Sequence, residues 1–107
     1  MTRVLVVEDE PSLLRALAMN LTARGYEVGI AETGTAALTA AARQPPDLIL
    51  LDLGLPDLGG LDVIRGIRAY DTATPIIVLS ARTGSTDKVR ALDLGADGDV
   101  TKPFGID

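Results

Sequence analysis

Short apolar runs alternate with longer amphipathic segments along the whole chain, and this alternation most constrains the fold. The apolar runs are rich in Val, Ile and Leu, which is typical of strands buried on both faces. In the longer segments the apolar residues recur at helical spacing. Such alternation over short connections predicts a doubly wound α/β fold, with a parallel sheet between layers of helices. The predicted strands are 3–7, 26–30, 48–51, 76–80 and 99–101, and the predicted helices are 11–24, 33–43, 61–67 and 85–94.

The composition fits one domain over residues 1–107, with an aliphatic core. Hydrophobic residues make up 47% of the chain, yet only 3% is aromatic. The absence of Cys and His excludes disulfides, thiolate zinc sites, His-dependent nucleophiles and phosphohistidine on this chain. A net charge of −5 argues against direct nucleic-acid binding and favours a cation or a basic partner. With no apolar run long enough for a membrane span and no signal peptide, we expect a cytoplasmic protein.

Polar residues end or directly follow four of the predicted strands, at the sheet edge where ligands bind in folds of this kind. They are Glu8, Asp9, Asp52, Ser80 and Lys102. Carboxylates that lie close together need a cation, and oxygen ligands suit Mg²⁺. A carboxylate can also attack phosphorus and form an aspartyl phosphate, with a lysine and a hydroxyl binding the phosphoryl oxygens. Asp52, a metal ion, Lys102 and Ser80 would fill these roles.

This set of residues, with Pro103 following Lys102, resembles the receiver domain of bacterial two-component response regulators. The resemblance spans residues 4–106 and implies a flavodoxin-like (CheY-like) fold with strand order 2-1-3-4-5. The strings at 51–57, 78–82 and 102–106 are similar to the winged-helix (OmpR-like) regulators of Kdp potassium-uptake systems. The resemblance implies a signalling switch that a sensor histidine kinase phosphorylates and that acts in transcriptional control of potassium uptake. It implies no enzyme beyond self-catalysed phosphoryl transfer and autodephosphorylation.

The resemblance also implies roles for individual residues around the acidic cluster. Asp52 matches the phosphoacceptor. Asp9, Asp52 and the backbone carbonyl of Gly54 match the ligands of Mg²⁺ or Mn²⁺, and Glu8 would act through bound water. Gly54 also matches a position that tunes dephosphorylation, and its lack of a side chain predicts no steric block to an attacking water.

Four further positions match residues of the family outside the metal site. Ser80 matches the switch hydroxyl that turns toward the phosphoryl group. Lys102 matches the lysine that forms a salt bridge with the same phosphoryl group. Pro103 matches a proline that commonly follows a cis bond, and Arg82 matches a second position that tunes dephosphorylation. Asp99 departs from the family because it replaces the aromatic residue whose rotation reports phosphorylation. The resemblance leaves open whether Asp99 weakens the signalling face or holds it in one state.

The resemblance further implies a fifth helix after Ile106 and a winged-helix DNA-binding domain, and neither follows in this sequence. A helix with several buried apolar residues contributes on the order of 5 to 10 kcal/mol of the free energy of unfolding. We therefore expect self-association, segment exchange or a partner to cover the exposed face of the sheet.

Two alternatives come from other functional classes. An interaction module with the same fold would signal without phosphorylation, and Asp99 together with the missing fifth helix motivates this alternative. A phosphatase of the haloacid-dehalogenase type would also use an aspartyl nucleophile. That class has a second Asp two residues after the nucleophile, where this chain has Gly54, which disfavours the phosphatase.

Overall fold

The computed structural model describes residues 1–80 and 85–102, which form a five-stranded parallel sheet flanked by helices. Its elements in chain order are β1 (Arg3–Val7), α1 (Pro11–Ala23), β2 (Glu27–Ala31), α2 (Gly34–Arg43), β3 (Leu48–Asp52), α3 (Gly60–Arg68), β4 (Ile76–Ser80), α4 (Ser85–Leu94) and β5 (Gly98–Thr101). None of the helices in the described part of the chain is long and apolar enough to cross a membrane.

The sheet has the order β2-β1-β3-β4-β5, and all neighbouring strands run parallel. This confirms the predicted doubly wound fold and its strand order. Element bounds differ from the predicted ones by a few residues at most. For example, β2 begins and ends one residue later than predicted, and Thr33 caps α2 instead of lying inside it.

Side-chain caps fix where the first two helices begin. The Glu10 carboxylate accepts hydrogen bonds from the backbone N–H groups of Ser12 (3.1 Å) and Leu13 (2.7 Å), and these bonds lower the pKa of Glu10. The hydroxyl of Thr33 accepts a hydrogen bond from the Ala36 N–H at 3.0 Å. Each cap satisfies N–H groups that have no partner inside the helix, and it thereby stabilises the first turn of that helix.

Two apolar clusters lie on opposite faces of the sheet, because successive residues of a strand alternate between faces. Leu5 and Val7 of β1 belong to the larger cluster, to which α2, α3 and α4 contribute. Val4 and Val6 belong to the smaller cluster, which α1 covers. On that second face the β3 residues 48 and 50 stay half-buried. The predicted covering of this face by self-association or a partner stays a prediction.

Arg68, at the end of α3, joins three segments at the amino end of the strands. Its Nε donates to the carbonyl oxygen of Gly95 (3.0 Å), and its Nη1 donates to that of Asp71 (2.9 Å). Its Nη2 donates to Asp97 Oδ2 at 3.1 Å, and the same oxygen accepts the Ile76 N–H at 2.8 Å. One largely buried guanidinium thus ties α3 to the start of β4 and to the turn before β5.

Candidate functional site

The predicted acidic residues meet at the carboxyl end of the sheet. Glu8 and Asp9 directly follow β1, and Asp52 is the last residue of β3. One carboxylate oxygen from each of the three lies within 4.8 Å of the others. Glu8 is fully buried and Asp52 is 6% exposed, whereas Asp9 faces solvent. The site is therefore a pocket with a buried acidic floor and an acidic residue at its rim.

Lys102 directly follows β5, and its side chain reaches across the sheet edge into this cluster. Its Nζ donates to Glu8 Oε1 at 2.8 Å and to Asp52 Oδ1 at 3.0 Å. The second oxygen of Glu8 accepts the backbone N–H of Glu10 at 3.0 Å. Both oxygens of the buried Glu8 thus have a donor, and the Asp52 carboxylate has a cation beside it.

The pKa values of Glu8 and Lys102 both lie above their usual values, for different reasons. Burial raises the pKa of Glu8 above its usual value, and the hydrogen bond from Lys102 offsets part of that rise. Burial alone would lower the pKa of Lys102, but the hydrogen bonds to Glu8 and Asp52 raise it above the usual lysine value. Lys102 is accordingly an ammonium at neutral pH, and it supplies positive charge at a fixed place beside Asp52.

Ser80 ends β4 beside the acidic residues. It follows Leu79, which pairs with Asp52 across the sheet, and its carbonyl accepts the Lys102 N–H at 2.6 Å. Its side chain is buried, and within the described residues its Oγ has no hydrogen-bond partner. A buried hydroxyl without a partner costs about 1–3 kcal/mol. This unpaired hydroxyl fits a site that receives a polar ligand.

The loop between β3 and α3, residues 53–59, borders Asp52. A Cβ at Gly54 would lie 3.8 Å from Asp52 Oδ2 and, chain neighbours aside, would touch no other described residue within 4 Å. The N–H of Gly60 closes the loop with a hydrogen bond to the carbonyl of Leu53 at 3.1 Å. A Cβ at Gly60 would lie 2.6 Å from the Leu53 Cα, so only glycine permits this closure. Gly54 is thereby held next to the Asp52 carboxylate.

The donor set of the cluster fits a hard divalent cation. One ammonium cannot neutralise three carboxylates, so the pocket keeps a net negative charge. Carboxylate and backbone carbonyl oxygens are the ligands that Mg²⁺ and Mn²⁺ prefer, and the exposed Asp9 leaves the rim open to a hydrated ion. Among the described residues, Glu8, Asp9 and Asp52 offer converging carboxylate oxygens that could hold such a cation.

The remaining predicted residues lie away from the pocket or outside the described part of the chain. Asp99 of β5 lies 3.8 Å from Lys88 Nζ of α4, and the same Nζ donates to the hydroxyl of Thr101. Asp99 therefore joins β5 to α4 and does not enter the acidic pocket. Arg82 and Pro103 lie outside the described residues, so their predicted roles stay predictions.

Sequence reasoning missed two features of the site. It paired Lys102 with a phosphoryl group but not with Glu8, although the family pattern places both at strand ends. It also assigned no role to Asp57, whose carboxylate binds the start of α2. No local pattern could have signalled the second contact, because its partners lie 22 and 23 positions earlier in the chain.

Fold and site together define a response regulator receiver domain. The chain matches the family model "Response regulator receiver domain" over residues 4–107, and it belongs to that family. Receiver domains are phosphorylated by sensor histidine kinases and use Mg²⁺ at an acidic pocket. They are signalling proteins of two-component systems and not classical enzymes.

Curated relatives of this chain include Kdp-type regulators. The chain is 64% identical over 107 residues to the transcriptional regulatory protein KdpE of Mycobacterium tuberculosis H37Rv. This match covers 100% of the present chain and 47% of that protein. It is 52% identical over 106 residues to the KDP operon transcriptional regulatory protein KdpE of Escherichia coli K12, covering 99% of this chain and 47% of the relative. The chain thus spans about half the length of these curated relatives.

A solved structure supports the fold independently. The chemotaxis response regulator CheY4 of Vibrio cholerae superimposes with a TM-score of 0.92 at 32% identity, covering 98% of this chain and 89% of CheY4. The predicted resemblance to receiver domains, and within them to the Kdp regulators, is confirmed.

Proposed function

We propose that residues 1–107 are a cytoplasmic receiver domain that accepts a phosphoryl group on Asp52 from a sensor histidine kinase. The reaction depends on Mg²⁺, and phosphorylation changes an association surface in the transcriptional control of potassium uptake. The observation that carries this proposal is the buried Asp52 carboxylate, which accepts a hydrogen bond from the Lys102 ammonium and lies within 4.8 Å of the acidic pair at the end of β1. The net charge of −5 supports protein partners rather than nucleic acid for these residues.

Four residues would hold the cation. Asp9, Asp52 and the Gly54 carbonyl would be direct ligands, and Glu8 would act through water. When bound, the cation draws the carboxylate and the phosphoryl oxygens together and offsets their negative charge. Glu8 has both oxygens engaged by protein donors, which supports an indirect role.

In the transfer step an oxygen of Asp52 attacks phosphorus and forms the acyl phosphate. The N–P bond of the kinase phosphohistidine breaks, and its electron pair returns to the imidazole nitrogen. Lys102 Nζ, already 3.0 Å from Asp52 Oδ1, would bind an oxygen of the transferred group. The Ser80 hydroxyl would donate to another oxygen and so gain the partner it lacks among the described residues.

Gly54 leaves one side of Asp52 open, and we expect this opening to shorten the life of the aspartyl phosphate. A side chain in Gly54→Leu would project beside Asp52 Oδ2 and hinder the attacking water. The acyl phosphate should then last on the order of tenfold longer, measured as loss of the phosphorylated mass with time. Gly59→Leu, in the same loop but beside Asp62, is the control. Equal lifetimes in the two variants would contradict this assignment of Gly54.

Intact-protein mass after incubation with a small acyl phosphate tests the proposed function. We expect the wild-type chain to gain one phosphoryl group with Mg²⁺ present and none without it. Asp52→Asn should abolish the gain, because the amide is a poor nucleophile, whereas the exposed Asp62→Asn should leave it unchanged. A folded wild-type protein that gains nothing, or an Asp52→Asn variant that gains as much, would refute the proposal. Light scattering on the same samples would report any change in assembly.

A second candidate function is an interaction module that signals without phosphorylation. The observation that favours it is Asp99, which pairs with Lys88 where the family has a rotating aromatic residue. This candidate requires partner binding and assembly state to be the same in the wild-type chain and in Asp52→Asn. A difference between them after treatment with the phosphoryl donor would exclude it.

A further inference from the structure

Asp57 lies in the 53–59 loop, outside the acidic cluster, and its carboxylate binds the beginning of α2. Oδ1 accepts the N–H of Gly34 at 2.8 Å. Oδ2 accepts both the N–H of Thr35 at 3.0 Å and the Thr35 hydroxyl at 2.8 Å. These bonds hold the pKa of Asp57 well below its usual range, with the Thr35 N–H contributing most. Asp57 therefore stays ionised and satisfies N–H groups that α2 itself cannot.

The loop also approaches the start of α2 closely at Gly34. A Cβ at Gly34 would lie 2.7 Å from the Leu58 Cβ and 3.2 Å from the Leu58 carbonyl oxygen. Gly34 is buried, and Leu58 packs against the larger apolar cluster. Independently of the hydrogen bonds, the sequence thus provides the one residue type that lets the loop touch α2 directly.

The loop is fixed at both ends. At its start, Leu53 follows Asp52 and is bonded to Gly60. Near its end, Asp57 and Leu58 rest on α2. Gly54 lies between these two anchors and is exposed, and a Cβ built on it would meet only Asp52 within 4 Å among the described residues outside its chain neighbours. The next residue, Leu55, is buried in the larger apolar cluster. We therefore expect the direction of the Gly54 carbonyl to depend on Leu55 together with the second anchor, which holds the rest of the loop.

We propose that Asp57 is a positioning residue for the phosphorylation site: by anchoring the loop on α2, it holds the Gly54 carbonyl where a divalent cation beside Asp52 can use it. This inference rests on the proposed function. It assigns Asp57 no contact with the cation or the phosphoryl group. Groups that orient metal ligands from outside the coordination shell typically change metal affinity by 10- to 100-fold when mutated.

The test compares Asp57→Asn with Thr33→Ala, which removes the other cap of α2 without touching the loop. Calorimetric titration with Mg²⁺ should give about tenfold weaker binding for Asp57→Asn and unchanged binding for Thr33→Ala. The Mg²⁺ concentration that half-saturates phosphoryl gain should rise by the same factor in Asp57→Asn, with the rate at saturating Mg²⁺ unchanged. Urea unfolding of both variants measures the loss of α2 capping that they share.

Asp57→Glu, which keeps two acceptor oxygens, should restore part of the Mg²⁺ affinity. If Asp57→Asn does not fold, Asp57→Glu is compared with Thr33→Ala in its place. Variants that lose stability as Thr33→Ala does, yet bind Mg²⁺ as tightly as the wild-type chain, would overturn the inference and leave Asp57 a helix cap only. A wild-type chain that neither binds Mg²⁺ nor gains a phosphoryl group would instead refute the proposed function. The two failures are therefore distinguishable.

Discussion

Lys102→Met should lower the free energy of unfolding by about 3 kcal/mol when no divalent cation is present. The substitution keeps the aliphatic stem but removes the ammonium that donates to both Glu8 and Asp52. Both carboxylates are buried, so they would lose their counter-charge in a place that water reaches poorly. Removing one partner of a buried ion pair is costly because the remaining charge is left uncompensated.

Urea unfolding with a chelator and with millimolar Mg²⁺ measures this effect. Because a cation between Asp9 and Asp52 would replace part of the missing charge, Mg²⁺ should stabilise Lys102→Met more than the wild-type chain. Phosphoryl gain in this variant should be about a hundredfold slower at saturating Mg²⁺, since Lys102 would no longer offset charge on the transferred oxygens. Lys88→Met, which removes a lysine that contacts Asp99 and Thr101 away from the pocket, is the control. Equal stabilities for the two variants in chelator would contradict the role given to Lys102.

Arg68→Ala is expected to lower the free energy of unfolding by about 3 kcal/mol, although Arg68 is remote from the acidic pocket. The Arg68 side chain is 13% exposed, and its guanidinium donates to two backbone carbonyls as well as to Asp97. Without it, the carbonyls of Gly95 and Asp71 lose a charged donor in a half-buried place. For a domain of this size the midpoint of thermal unfolding should fall by roughly 10–20 °C.

Arg65→Ala provides the matched comparison, because Arg65 lies on the same helix. Among the described residues Arg65 pairs only with Asp62, three positions away, and both side chains are more than half exposed, at 51% and 56%. An exposed pair of this kind contributes less than about 0.5 kcal/mol. Similar melting midpoints for the two variants would show that Arg68 does not join the three segments as the structure indicates.

The fold was predictable because the periodicity of hydrophobic residues along the chain indicates where the strands and helices lie. The runs at 3–7 and 76–80 coincide with β1 and β4, and Ser85–Leu94 coincides with α4. Once the strands are parallel, topology alone brings their carboxyl ends to one edge. For that reason Glu8, Asp52 and Lys102 could be placed in one site before any coordinates were known.

The contacts inside the site were less predictable, because they join residues far apart in the chain. Lys102 and Glu8 are 94 positions apart, and only the packed sheet decides which carboxylate the ammonium reaches. Asp57 looks like an ordinary turn residue in the sequence, since turns are rich in aspartate. Its role at α2 depends on the close approach of Leu58 to Gly34, which no local pattern reveals.

Chemical trapping at residue 52 tests the central claim most directly. Borohydride reduces an aspartyl phosphate to homoserine, so treatment of the phosphorylated chain followed by peptide sequencing locates the acceptor. We expect homoserine at position 52 alone, in a reaction that requires Mg²⁺ and the phosphoryl donor. Homoserine at Asp9 or at another aspartate, or none in a chain that has gained phosphoryl mass, would contradict it.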